Sequence, residues 1–238
     1  MGENAFFNFI LNIWEPIYQT LIYDNRYKFI IEGLFNTIII ALFAVILGII
    51  IGVLVALIRN NYDRNNKMRV LNFIVKCYVD IIRGTPVVLQ LMIIYYVVFK
   101  SVDVPVVLVG ILAFGINSGA YVSEIIRAGI QSLPIGQTEA GYALGLRYNQ
   151  VMNYIVLPQA FKNILPALGN EFITLVKETS IGAYIGIIEL TKASDIIASR
   201  TYDYFFPLII IAIIYLVITL GLSKVVQKLE RKLSHARG

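Results

Sequence analysis

A set of polar side chains sits where the surrounding sequence is apolar, and its chemistry is that of binding, not of bond-making. Asn117, Tyr121 and Glu124 recur at i, i+4 and i+7, which puts them on one helical face. Asn170, Thr174 and Lys177 repeat that spacing, while Glu171 and Glu178 define a second face. Together they offer acceptors for an ammonium group and donors for a carboxylate, the complement of a small zwitterion. Ionisable groups in hydrocarbon cost about 2.5–3.5 kcal/mol each, so they face a cavity or one another. A blander alternative stays open, in which Glu124 pairs with Arg127 and Asp80 with Arg83 at i, i+3, holding helices or snorkelling to the interface. Covalent and metal chemistry lack the residues: Cys77 is the lone cysteine, His235 the lone histidine, and no nucleophile–base constellation exists.

The elements that position these groups are membrane helices. With 58% hydrophobic and only 15% charged residues, the chain is too poor in charge to clothe a soluble domain. Its net charge of +5 does not point to nucleic acid, because the basic residues flank apolar spans instead of lining one face. A crossing helix needs about 20 apolar residues. Thr37–Ile58 meets this without a charge, a second span lies near 81–100, and Val104–Ile126 is the third. Ile164–Val176, extended back towards Asn153, is the fourth, and Phe205–Ser223 the fifth. The fold class is therefore all-α, a polytopic membrane protein with five transmembrane helices. Gly110, Gly115, Gly119 and Ala120 let neighbours approach the third span closely. Arg83-Gly84-Thr85-Pro86 is a breaker, read as an elbow between an interfacial helix and a membrane helix. Ala5–Ile13 reads as an interfacial segment and not a signal peptide.

Basic residues set the orientation. Arg59, Arg64, Lys67 and Arg69, then Arg127, Arg147 and Lys162, and finally the tail Lys224–Lys232, fall on one side; Arg26, Lys28, Lys100, Lys192 and Arg200 fall on the other. The first side is cytoplasmic, so the N-terminus lies outside and the C-terminus inside.

Residues 134–158 join two spans on that cytoplasmic side with an ordered helix–turn–helix. Pro134 and Gly136 break the preceding span, Thr138 caps a new helix, and Glu139 sits in its first turn where a carboxylate suits the dipole. Gly145 ends that helix at a left-handed position, and Pro158 stops the following segment. Tyr142, Leu144, Leu146 and Tyr148 leave an apolar surface, a handle for a soluble partner.

The spacing resembles the EAA loop of ABC importer permeases. Glu139, Ala140, Gly145, Ile155, Leu157 and Pro158 match in register, and only Gly141 departs from the pattern. Arg83-Gly84-Thr85-Pro86 with Gln90-Leu91, the run Ala120–Ile130, Lys177-Glu178-Thr179-Ser180, Ile188-Glu189-Leu190-Thr191 and Ala198-Ser199-Arg200 are similar to the polar amino acid branch of that family. The likeness covers residues 30–233, leaving 1–29 as an N-terminal segment and 234–238 as a C-terminal tail. It implies a type I importer permease in a bacterial cytoplasmic membrane, with Gly136, Glu139, Ala140, Gly141, Gly145 and Leu146 docking an ATPase. The polar faces described above, with Asn117, Tyr121, Glu124, Asn170, Glu171, Thr174 and Lys177, are read as the lining of its translocation pathway. The partners the resemblance implies are two ATPase subunits carrying ATP and Mg, a second permease (identical or paralogous), an extracytoplasmic amino-acid-binding protein and the substrate. No Walker A signature is present, so the chain is not its own ATPase and no cofactor is expected on it. The competing class is a self-contained channel or secondary carrier, which has no use for a cytoplasmic docking helix. Glu124, Glu171 and Glu178 against Lys177 tilt the expected substrate towards Arg, Lys or His.

Overall fold

The computed structural model describes residues 14–235, so the expected interfacial segment Ala5–Ile13 lies outside the described residues. A helical segment at 14–21 and a 3-10 turn Tyr23–Asn25 lead into the first long helix, α1 (Tyr27–Asn65). Then follow α2 (Arg69–Gly84), α3 (Val87–Ile93, prolonged by a π turn Ile94–Val98), α4 (Val106–Gln131), α5 (Ile135–Ala143) and α6 (Tyr148–Val151). The chain ends in α7 (Leu157–Glu178), α8 (Leu190–Thr201) and α9 (Phe205–His235).

The 39 residues of α1 reach about 58 Å at about 1.5 Å per residue, nearly twice the ~30 Å hydrocarbon thickness. Its apolar stretch ends at Ile58, and the polar turns from Arg59 to Asn65 project beyond it. α1 and α4 form the most extensive helix pairing. Small residues make it possible: a Cβ on Gly52 would stand 2.5 Å from Val122 Cγ1, and one on Gly119 would stand 2.7 Å from Ile51 Cγ2. Ile40, Val109, Phe114, Leu91, Leu175 and Ile187 pack behind that contact as the main core.

Among the described residues, three helices are long and apolar enough to cross a membrane, and a fourth if α2 and α3 count as one broken span. The expectation of five spans is thus met in kind, while the count itself is not established: α7, with Asn163, Asn170, Glu171 and Lys177, is too polar to qualify by composition. The span expected near 81–100 does not run back through Gly84. Thr85 and Pro86 are extended, and α2 and α3 meet at 112°. Proline removes an N–H and disfavours helix at the residue before it, so the chain bends at Thr85-Pro86 and the following helix begins at Val87.

Pro158 likewise does not stop a segment. It occupies the first turn of α7, where its missing N–H costs nothing, and a π turn at Met152–Val156 carries α6 straight into α7. The Ile188–Thr191 stretch ties the far end together. Glu189 is fully buried, caps α8 by accepting from the Thr191 and Lys192 backbone N–H groups at 2.7 and 2.6 Å, and receives the Tyr215 hydroxyl at 3.0 Å. Asn36 of α1 donates to the Ile188 carbonyl at 2.8 Å, so the cap anchors α8 to both α1 and α9.

Candidate functional site: a docking loop and a polar face

α5 begins at Pro134, whose extended backbone occupies the capping position; Thr138 lies inside the helix and does not cap it. Glu139 is accordingly the fifth helical residue and lies beyond the first turn, where the dipole acts weakly. What Glu139 does instead is share an outward face with Ile135 and Tyr142, which are 75% and 46% exposed. Gly136 and Ala140 are exposed as well.

The end of α5 follows its sequence. Gly145 has φ +79°, Leu146 N–H donates to the Gly141 carbonyl at 3.1 Å, and Gly145 N–H to the Tyr142 carbonyl at 2.9 Å, the paired bonds of a Schellman stop. Leu146 is half-buried, whereas Leu144 is 79% exposed and is the more prominent apolar contact. Gly141 faces inward, not towards a partner: it is buried, and a Cβ there would lie 2.9 Å from Val151 Cγ2 and 3.0 Å from Ile155 Cδ1. That crowding explains why glycine replaces the usual alanine at this position.

The loop is fastened to α1. The Tyr148 hydroxyl exchanges hydrogen bonds with the Asn60 side chain at 3.0 and 3.2 Å, and Arg64 stacks on the Tyr148 ring at 4.0 Å while donating to Asn149 at 3.3 Å. Spacing alone could not pair residues so far apart in sequence. The overlong polar end of α1 was the available signal.

On the membrane side, Asn117 is 3% exposed and donates to Gln90 at 2.9 Å. Gln90 in turn donates to the Ile82 carbonyl at 2.8 Å and to the Thr85 hydroxyl at 2.8 Å, so this amide pair braces the α2–α3 elbow. Tyr121 is 38% exposed, with the Arg83 guanidinium 5.7 Å above its ring. Glu124 is held by Arg127 at 2.6 Å, by Arg59 in a direct ion pair, and by Arg83 at 3.8 Å. The Glu124–Arg127 pairing weighed from sequence is therefore present, but Arg83 reaches Glu124 and not Asp80. The carboxylate is outnumbered by guanidinium groups and supplies no free negative charge. Glu171 accepts from Ser118 of α4 at 2.7 Å, which joins the α4 and α7 faces. Asn170 and Lys177 are exposed and Thr174 is half-buried, so this stripe of α7 faces away from the rest of the chain.

Helices able to cross a membrane, an outward-facing helix–turn–helix at 134–158 and an outward polar stripe on α7 fit a permease subunit that works with a separate motor. Residues 48–235 match the family of binding-protein-dependent transport system inner membrane components, and the chain belongs to it. It is 42% identical over 213 residues to the GlnP permease protein of Rickettsia bellii, named for a glutamine transport system, covering 89% of this chain and 95% of that relative. It is 41% identical over 207 residues to the arginine transport system permease protein ArtQ of Bacillus subtilis, covering 86% and 92% respectively. A chain from the crystal structure of an amino acid ABC transporter with histidines superposes with a TM-score of 0.80 at 43% identity, covering 87% of this chain and 94% of that one. The chain is thus an ABC importer permease of an inner membrane and not an enzyme; ATP hydrolysis belongs to a separate subunit.

Proposed function

We propose that this permease carries a polar amino acid, preferentially one with a cationic side chain, along a pathway formed where two permease copies meet. The observation that carries this is the stripe Asn170, Thr174 and Lys177 on α7, turned away from the helices able to cross a membrane that α7 packs against. Polar and charged groups left against lipid are costly, so a second permease and a hydrated pathway are the natural cover. The relatives support an amino acid as cargo, since their names cite glutamine and arginine transport.

With Glu124 neutralised by arginines, cation preference rests on Glu171 and Glu178 against Lys177. Tyr121, beside Arg83, marks the same route nearer the cytoplasm. The outward face of α5, with Glu139, Ile135 and Tyr142, docks an ATPase subunit that binds ATP and Mg; two such subunits pair beneath two permeases. An extracytoplasmic binding protein delivers the amino acid, and the N-terminus lies outside. Competition for uptake in proteoliposomes bearing the whole complex tests the reading. Arginine should compete better than glutamine or glutamate; equal competition refutes the cationic preference. Uptake by the permease without ATPase would restore the carrier alternative.

A further inference from the structure

A cavity of about 400 Å³ opens between α1, α4 and the α6–α7 helix, away from the polar stripe. Its walls are Ile49, Val53 and Leu57 of α1, Ile126 of α4 and Leu168 of α7. From Ile49 to Asn60 the groove follows α1 for twelve residues, a rise of about 16 Å, close to the depth of one leaflet of a ~30 Å hydrocarbon core. Polarity changes sharply along it. The deep end is aliphatic, while Asn60, Tyr148 and Asn149 line the other end, just past Ile58, where the apolar run of α1 gives way to polar residues. Arg64 stands over that end, stacked on Tyr148 at 4.0 Å and bonded to Asn149 at 3.3 Å, and Arg147 is exposed beside it.

We propose that this groove holds one acyl chain of an anionic phospholipid whose headgroup lies against Arg64 and Asn149. An aliphatic slot of single-leaflet length that ends in amides and a guanidinium matches the division of such a lipid into chain and head. Basic pockets between membrane helices at the interface bind anionic headgroups for the same electrostatic reason. The lipid would bridge α1 to the docking loop at the point where the Asn60–Tyr148 contact already joins them. The proposal needs only that the chain lies in a membrane, so it stands apart from the substrate reading.

The complex with its ATPase is reconstituted with mixed phosphatidylglycerol and phosphatidylcholine, extracted in mild detergent, and examined for retained lipid by native mass spectrometry. Phosphatidylglycerol should be retained preferentially. Arg64→Gln, a change at an exposed side chain, should lower that preference about fivefold, the effect of one basic residue at an anionic surface. Val53→Trp, which fills the slot, should abolish retention of both lipids in a complex that still elutes as assembled. Equal retention of the two lipids by the native complex overturns the proposal, as does retention unchanged in both variants. Disulfide cross-linking between copies through Val53→Cys, in a Cys77→Ser background, would make the groove a subunit interface and also overturn it.

Discussion

Replacing Glu124 with Gln removes a carboxylate that pairs with arginines of α1, α2 and α4. Its side chain is 17% exposed and Arg59 is 24% exposed, so that pair is the best shielded from solvent. Arg127 and Arg83 are 40% and 46% exposed, and screening reduces each to a contribution below about 1 kcal/mol. Opposite charges about 4 Å apart attract by about 4 kcal/mol at an effective dielectric of about 20. Gln keeps one acceptor for a guanidinium, so a net loss of about 2–3 kcal/mol is expected, most of it at Arg59. At about 2–4 °C per kcal/mol for a chain of this size, Tm should fall by roughly 5–10 °C. Adding Arg59→Gln should recover most of that loss, because it removes the cation left without a partner, whereas Arg127→Gln should recover less. Thermal unfolding of the purified complex, followed by intrinsic fluorescence, measures both. A fall below about 2 °C, or equal rescue by the two arginine changes, would refute the ranking of partners derived from burial. ATP-driven uptake by the rescued double variant then separates an interhelical tie from a transport role: restored uptake assigns Glu124 to structure alone.

If the outward face of α5 docks the ATPase as proposed, Glu139→Arg should abolish substrate-stimulated ATPase activity while leaving Tm unchanged, since the side chain is exposed; undiminished stimulation would remove Glu139 from the docking face. Gly145→Val should uncouple in the same assay and cost about 1–3 kcal/mol, because φ +79° is a strained conformation for a β-branched residue. Gly52→Leu should lower the yield of folded permease sharply, as even its Cβ would meet Val122 at 2.5 Å in a helix pair that cannot separate without losing the core; a normal Tm would show that α1 and α4 are looser than they look. Lys192 donates to Asp195 at 2.6 Å and holds that carboxyl below its ordinary range. A depressed folded value stabilises above the unfolded one, so this contribution is present at neutral pH and fades as pH falls below about 4. Because the pair is exposed, Asp195→Asn should cost less than about 1 kcal/mol at pH 7, checked by Tm against pH.

The sequence by itself determined the features that depend on neighbours along the chain. Apolar run length placed α1, α4 and α9 in a membrane, proline chemistry marked the elbow at Thr85-Pro86, and Gly145 announced the end of α5 through its need for positive φ. The docking loop was legible because its turn residues act within a few positions of one another. Errors at this level were of phase: Thr138 instead of Pro134 at the start of α5, and Pro158 as a stop when the first helical turn accepts it. Tertiary structure alone decided which side chains meet. Arg59 reaches Glu124 across 65 residues, Gln90 takes up Asn117, Ser118 binds Glu171, and Tyr148 closes on Asn60. It also turned Gly141 inward and left Asn170 and Lys177 outward. Helical spacing fixes which residues share a face but not the direction in which that face points, because rotation about a helix axis is set by packing against neighbours. Here the interlocked glycines of α1 and α4 fix that rotation, and with it the charge of the cluster around Glu124.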